Sequence, residues 1–160
     1  MGDNAAGHEG GAAKPPSFDR HALALAWTEP EEGGMATNGS FYWNELMTRD
    51  AEAAKKFYGA TLGWTFEPMA GGEGPAYWVA KVGDESVAGI YSIDADDKDT
   101  GEGWFAYVAV NDLATALARA TSEGGEVVRE PWDVPGVGRI AIVNDNAGKT
   151  LGWMTPAEQS

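Results

Sequence analysis

The chain has 160 residues, no cysteine and a formal charge of −14. Disulfides, thiolate metal sites and cysteine nucleophiles are therefore excluded, and so acidic a chain repels nucleic acid and anionic lipid. No apolar run is long enough for a transmembrane helix and no secretory signal is visible, so a cytoplasmic protein is expected, with neither nucleic acid nor membrane as partner.

Residues 1–39 differ in character from the rest of the chain. They hold Gly10-Gly11, Pro15-Pro16 and Glu29-Pro30-Glu31-Glu32-Gly33-Gly34, and only His21-Ala-Leu-Ala-Leu-Ala-Trp27 is apolar. This composition reads as a disordered or loosely docked N-terminal extension. Both histidines, His8 and His21, lie in it. From residue 40 onward there is neither histidine nor cysteine, which removes a His-based metal site, a Ser-His-Asp triad and a Cys-His pair.

The first expected element is a strand over 40–47, with Phe41, Trp43, Glu45 and Met47 sharing one face by alternation. Asp50 caps a helix over 51–62, whose stripe is Ala54, Phe57, Tyr58 and Leu62, and Gly63 stops it. Strands come next near 64–67, 76–82 and 86–92. The acidic run Asp94–Asp99, with Glu102, lacks the spaced ligands of a calcium loop and reads as a solvated connection. The pattern then returns. A strand over 103–110 leads to Asp112, a helix over 113–122 and a stop at Gly125. Strands near 126–129, 138–143 and 150–154 complete it. The expected fold is α+β: two tandem βαβββ modules, about 40–93 and 103–156. They form one cupped mixed β-sheet with helices on the outer face, ending in a short tail, 157–160.

Asp50-Ala-Glu-Ala-Ala-Lys-Lys-Phe-Tyr-Gly-Ala-Thr-Leu-Gly-Trp64 resembles the D-x3-A-x2-F-Y-x3-L-G-W signature of the vicinal oxygen chelate superfamily. That superfamily contains glyoxalase I, extradiol dioxygenases, and the bleomycin- and fosfomycin-resistance proteins. Asn144-Asp145-Asn-Ala-Gly148 is similar to its D-P-x-G turn, with Asn146 in place of proline. Pro131–Ile142 resembles the small bacterial glyoxalase-related members. The resemblance implies four metal-ligand positions, which fall on Trp43, Phe105, Gly89 and Gly152. None of these side chains coordinates a divalent ion. A metal-independent protein without cofactor is the expectation, with two aromatic plates and two glycines forming an apolar slot for a small organic ligand. The resemblance also implies a homodimer.

Glu45 lies on the Trp43 face, and Tyr107 on the Phe105 face. Desolvated, Glu45 suits general acid–base work; near aromatics it suits anchoring of a cation. Arg139 is a candidate partner for it. Tyr91, Trp132 and Trp153 are further candidate lining residues. Three readings stay open: sequestration of a cationic or aromatic compound, as in the bleomycin-resistance branch; a metal-free lyase or isomerase using Glu45 and Tyr107; and a non-catalytic structural or regulatory partner with a closed cavity.

Overall fold

A computed structural model describes residues 36–69, 76–134 and 137–157 of the chain. The N-terminal segment with His8, His21 and the apolar run, the pair Gly71-Gly72 and the last three residues lie outside the described residues. Within them the elements are β1 (Phe41–Thr48), α1 (Ala51–Leu62), β2 (Thr65–Pro68), β3 (Tyr77–Val82), β4 (Glu85–Ser92), β5 (Gly103–Ala109), α2 (Leu113–Ser122), β6 (Glu126–Val134), β7 (Gly138–Asn144) and β8 (Thr150–Pro156). The expected order of two βαβββ modules holds throughout.

All eight strands form one mixed sheet in the order β2-β3-β4-β1-β5-β8-β7-β6. In each module the first strand runs parallel to the last, β1 with β4 and β5 with β8, which the intervening helix permits. The modules join through antiparallel β1 and β5, so the centre of the sheet is also the seam between the repeats. Trp43 faces Tyr107 across this seam, and Glu45 faces Phe105.

Local chemistry sets the helix ends. The Asp50 carboxylate accepts from the Ala53 N–H at 2.9 Å, and the Asp112 carboxylate from the Thr115 N–H at 2.6 Å. Each satisfies a backbone donor that the first helical turn leaves unpaired. Gly63 closes α1 in the left-handed region, at φ 70°. The second helix differs from expectation: Gly124, at φ 85°, takes the left-handed turn. Gly125 is needed instead for close approach, since a Cβ there would crowd the carbonyls of Asn144 and Ala120.

Both faces of the sheet are packed. On the helix face, Val110, Leu113, Leu117, Ala141 and Val143 form a cluster with Trp153 against it. On the helix-free face, Trp43, Met47, Tyr77, Val79, Tyr91, Tyr107, Trp132, Ile140, Ile142 and Met154 belong to a larger cluster, with Phe105 and Tyr42 at its margin. Burying large apolar side chains here contributes about 1.5–3 kcal/mol each relative to exposure.

Three local expectations are corrected. Phe41 does not share the Trp43 face: the register slips between them, and Phe41 is 67% exposed. A bulge inserts one residue and breaks the alternation there. The strand expected near 126–129 does not stop there: β6 runs on to Val134, pairing Trp132 with Ile140 and Asp133 with Arg139. Bulges on either side of Arg129 absorb Pro131 at this outermost strand. The acidic connection is built around an arginine rather than merely solvated. The Arg49 guanidinium donates to the carbonyls of Asp94, Asp97 and Thr100, at 3.2, 2.7 and 3.2 Å.

Candidate functional site: a buried glutamate between two tyrosines

Glu45 sits in the middle of β1 and is only 2% exposed. Its carboxyl receives two phenol hydroxyls. Tyr107, from β5, donates to Oε1 at 2.6 Å, and Tyr77, from β3, donates to Oε2 at 3.3 Å. The Trp43 Nε1–H in turn donates to the Tyr77 hydroxyl at 3.0 Å. Tyr77 Oη thereby accepts from the indole, leaving its own proton for Glu45. The result is a short polar chain, Trp43–Tyr77–Glu45–Tyr107, inside an apolar cluster.

Burial raises the Glu45 pKa from 4.5 to about 7, because the carboxylate loses its hydration. The hydrogen bonds from Tyr107 and Tyr77 pull the other way without cancelling it. Both tyrosines are pushed well above 10, first by burial and then by the nearby Glu45 charge. The phenols stay neutral and act as donors while Glu45 is the group that titrates. The arrangement can therefore take up or release one proton near neutral pH.

The two glycines find a specific explanation. A Cβ at Gly89 would fall on the Tyr77 hydroxyl, and one at Gly152 would fall on the Tyr107 ring. Gly89 pairs with both Glu45 and Val79, and Gly152 pairs with Tyr107. The missing side chains let each tyrosine lie close over the sheet and bring its hydroxyl to Glu45. This corrects the expected slot: the room at Gly89 and Gly152 is taken by tyrosine rings of the protein itself.

Trp43, Phe105 and Tyr107 come together with Glu45 as the alternation implied, and Phe105 packs edge-on to Tyr107 with centroids 5.2 Å apart. Tyr91 and Trp132 are on the same face. Two candidates are not. Arg139 is turned away, with its side chain 58% exposed beside Asp133 at 3.9 Å, because Ile140 and Ile142 take the helix-free face. Trp153 packs on the helix side, while its neighbours Gly152 and Met154 face the site. Two residues were missed. Tyr77 was visible as an aromatic alternating with Val79, but nothing local tied it to a residue 32 positions earlier. Arg129 stacks on Trp132 at 3.8 Å, and its charge acts on Tyr107.

The family resemblance implies a metal, and the donor set here does not suit one. Glu45 is the single anionic side chain of the polar chain, and its phenol neighbours resist ionisation. Among the described residues, no group of three or more His, Cys, Asp or Glu side chains converges.

A Mycobacterium tuberculosis protein named as a glyoxylase, CFP32, is 36% identical over 121 residues, covering 76% of this chain and 46% of that protein. The anthracycline biosynthesis protein DnrV of Streptomyces peucetius is 31% identical over 122 residues, covering 69% and 44%. The chain thus spans about half the length of these relatives. Among solved structures, a hypothetical protein of Bacillus halodurans C-125 matches with a TM-score of 0.59 at 12% identity, covering 76% of this chain and 97% of that one. The methylmalonyl-CoA epimerase of Mycobacterium tuberculosis matches with a TM-score of 0.51 at 20% identity, covering 78% and 94%. The model of the glyoxalase/bleomycin resistance protein/dioxygenase superfamily matches residues 40–151. With the two-module sheet and the paired helix caps, this establishes that the chain belongs to that superfamily.

Proposed function

We propose that this protein binds a flat, largely apolar small molecule on the helix-free face of its sheet, and that Glu45 exchanges a proton with it without a metal. The observation that carries this reading is the buried Glu45, with a pKa of about 7, between two neutral phenol donors. A carboxyl poised near the working pH is what general acid–base catalysis requires. A site evolved only to hold a cation would favour a carboxylate that is fully ionised. The rings packed round Glu45, with Trp43, Tyr91 and Trp132 buried and Phe105 partly so, point to an aromatic ligand that enters by displacing them. Arg129, stacked on Trp132, favours a ligand carrying an oxygen of partial negative charge. Two relatives are named as anthracycline biosynthesis proteins, which supports a small organic ligand. Isomerisation or lyase-type loss of a group beside a carbonyl are the reactions a single proton-transferring residue can run.

The test is a screen of hydroxylated polycyclic aromatic ketones by quenching of tryptophan fluorescence, then incubation of each binder in D2O. Saturable binding with enzyme-dependent deuterium incorporation, lost in Glu45→Gln while binding persists, is expected. Binding with no exchange and no turnover would replace catalysis by sequestration. Absence of saturable binding across the panel would sink both.

A further inference from the structure

On the helix face, away from Glu45, lies a groove of about 720 Å³ between α2 and the sheet. Its walls are Val108, Val110, Ala116, Ala120, Leu151 and Trp153, with Asp112, Arg119 and Glu123 among the polar residues that border it. The internal repeat explains why it exists. The spacing from Asp50 to Asp112 is 62 residues, and it relates β1 and α1 to β5 and α2 position by position. In the first module three rings meet beside α1, with Trp104 still 46% exposed. Tyr58 stacks on Trp64 at 5.2 Å and meets Trp104 edge-on at 5.6 Å, and the Trp104 Nε1–H donates to the Tyr58 hydroxyl at 3.0 Å. The same spacing maps Tyr58 onto Ala120 and Trp64 onto Glu126. It maps Trp104 onto Tyr42, which packs against the opposite face beside the β1 bulge. The second module therefore has no counterpart of Tyr58 or Trp64 beside α2, and Trp153 is the one ring in the groove wall.

The chain enters the fold at this space. Asn38 and Gly39 are part of the groove wall, fixed by the Gly39 N–H to the Ala109 carbonyl at 2.7 Å and by the Asn111 N–H to the Asn38 side chain at 2.9 Å. Residues 36 and 37 precede Asn38 at its edge. The single apolar run of that segment, Ala22–Trp27, ends eleven residues before Asn38 and carries the segment's one tryptophan. Eleven residues reach up to about 36 Å. Arg20 and His21 before the run, and Glu29, Glu31 and Glu32 after it, provide both signs of charge for Glu123, Asp112 and Arg119.

We propose that the groove under α2 is the seat of the chain's own segment 22–27, with Trp27 supplying the ring that the second module lacks. Because the segment is tethered, its effective concentration is of order millimolar, and a weak intrinsic affinity suffices. The proposal does not depend on the reading of Glu45.

The absence of cysteine makes the test clean, since Thr28→Cys gives one attachment point for a nitroxide. In full-length labelled protein, the amides of Val108, Ala116, Ala120 and Leu151 are expected to lose most of their signal and regain it on reduction of the label. Trp27→Ala in the same chain should restore those signals, as should Ala120→Trp, which fills the groove. Signal loss spread evenly over the surface, or unaltered by Trp27→Ala, overturns the proposal. So does loss that arises only when spin-labelled and isotope-labelled chains are mixed, which would assign the groove to the segment of a second copy.

Discussion

Glu45 places a costly group at the centre of the sheet, and its cost depends on pH. Below about pH 4.5 the carboxyl is protonated in both folded and unfolded chains, and burial is unopposed. Between 4.5 and 7 the unfolded chain releases the proton while the folded chain keeps it. Stability is therefore highest on the acid side and falls as pH rises through 7, by on the order of 3 kcal/mol from this group. Glu45→Gln removes the titration. Urea denaturation at intervals from about pH 5 to 8 should show the wild type losing ground to the variant as pH rises; parallel profiles would mean the carboxyl is not desolvated. The glycines give a second expectation. Gly152→Ala must push the Tyr107 ring aside and should cost about 1–3 kcal/mol, but much less in a Tyr107→Ala background. Equal costs in the two backgrounds would show that the ring and the glycine are independent. At this scale the sequence was half legible. Alternation put Glu45, Trp43, Phe105 and Tyr107 on converging faces, because a period of two is a local property. It did not say which ring would fill the room beside Gly89 and Gly152. That is decided by register between strands far apart in the chain, and Tyr77 went unnoticed for the same reason. Arg139 and Trp153 were misplaced because apolar residues occupy both faces of β7 and β8, so an apolar neighbour gave no sign of direction.

The helix bounds and N-caps were the most readable elements, since each depends on a few adjacent residues, Asp50 to Ala53 and Asp112 to Thr115, whereas the expected α1 stripe leaves Phe57 and Leu62 exposed. The errors lie where tertiary contacts reset a local preference. Gly124 rather than Gly125 ends α2 because Gly125 is pressed against β7. The acidic connection between the modules looked like free charge because its organiser, Arg49, stands 45 residues before Asp94. Arg49 also meets Glu102: its backbone N–H donates to that carboxylate at 3.0 Å. Asp97 then folds the loop on itself, accepting from the Asp99 and Thr100 N–H groups at 2.9 Å. Arg49→Met keeps the stem and removes the guanidinium donors. It should cost on the order of 2 kcal/mol and accelerate amide exchange at Asp99 and Thr100, leaving α1 unchanged. Unaltered exchange in that loop would mean Asp97 alone holds it.

At the scale of the molecule, two copies of one unit have diverged while the sheet stayed continuous. The positions where the superfamily resemblance implies ligands now carry Trp43, Phe105, Gly89 and Gly152. Elemental mass spectrometry after incubation with nickel, zinc, manganese and iron(II), then desalting, should find no stoichiometric ion; a bound metal would demand carboxylates brought in from elsewhere. The strand order carries one more consequence. The sheet terminates in β2, four residues long, and in β6, irregular and carrying Pro131. Neither presents a long flat ladder of free amides and carbonyls. Among the described residues the sheet thus offers little edge for growth by strand addition into fibrils.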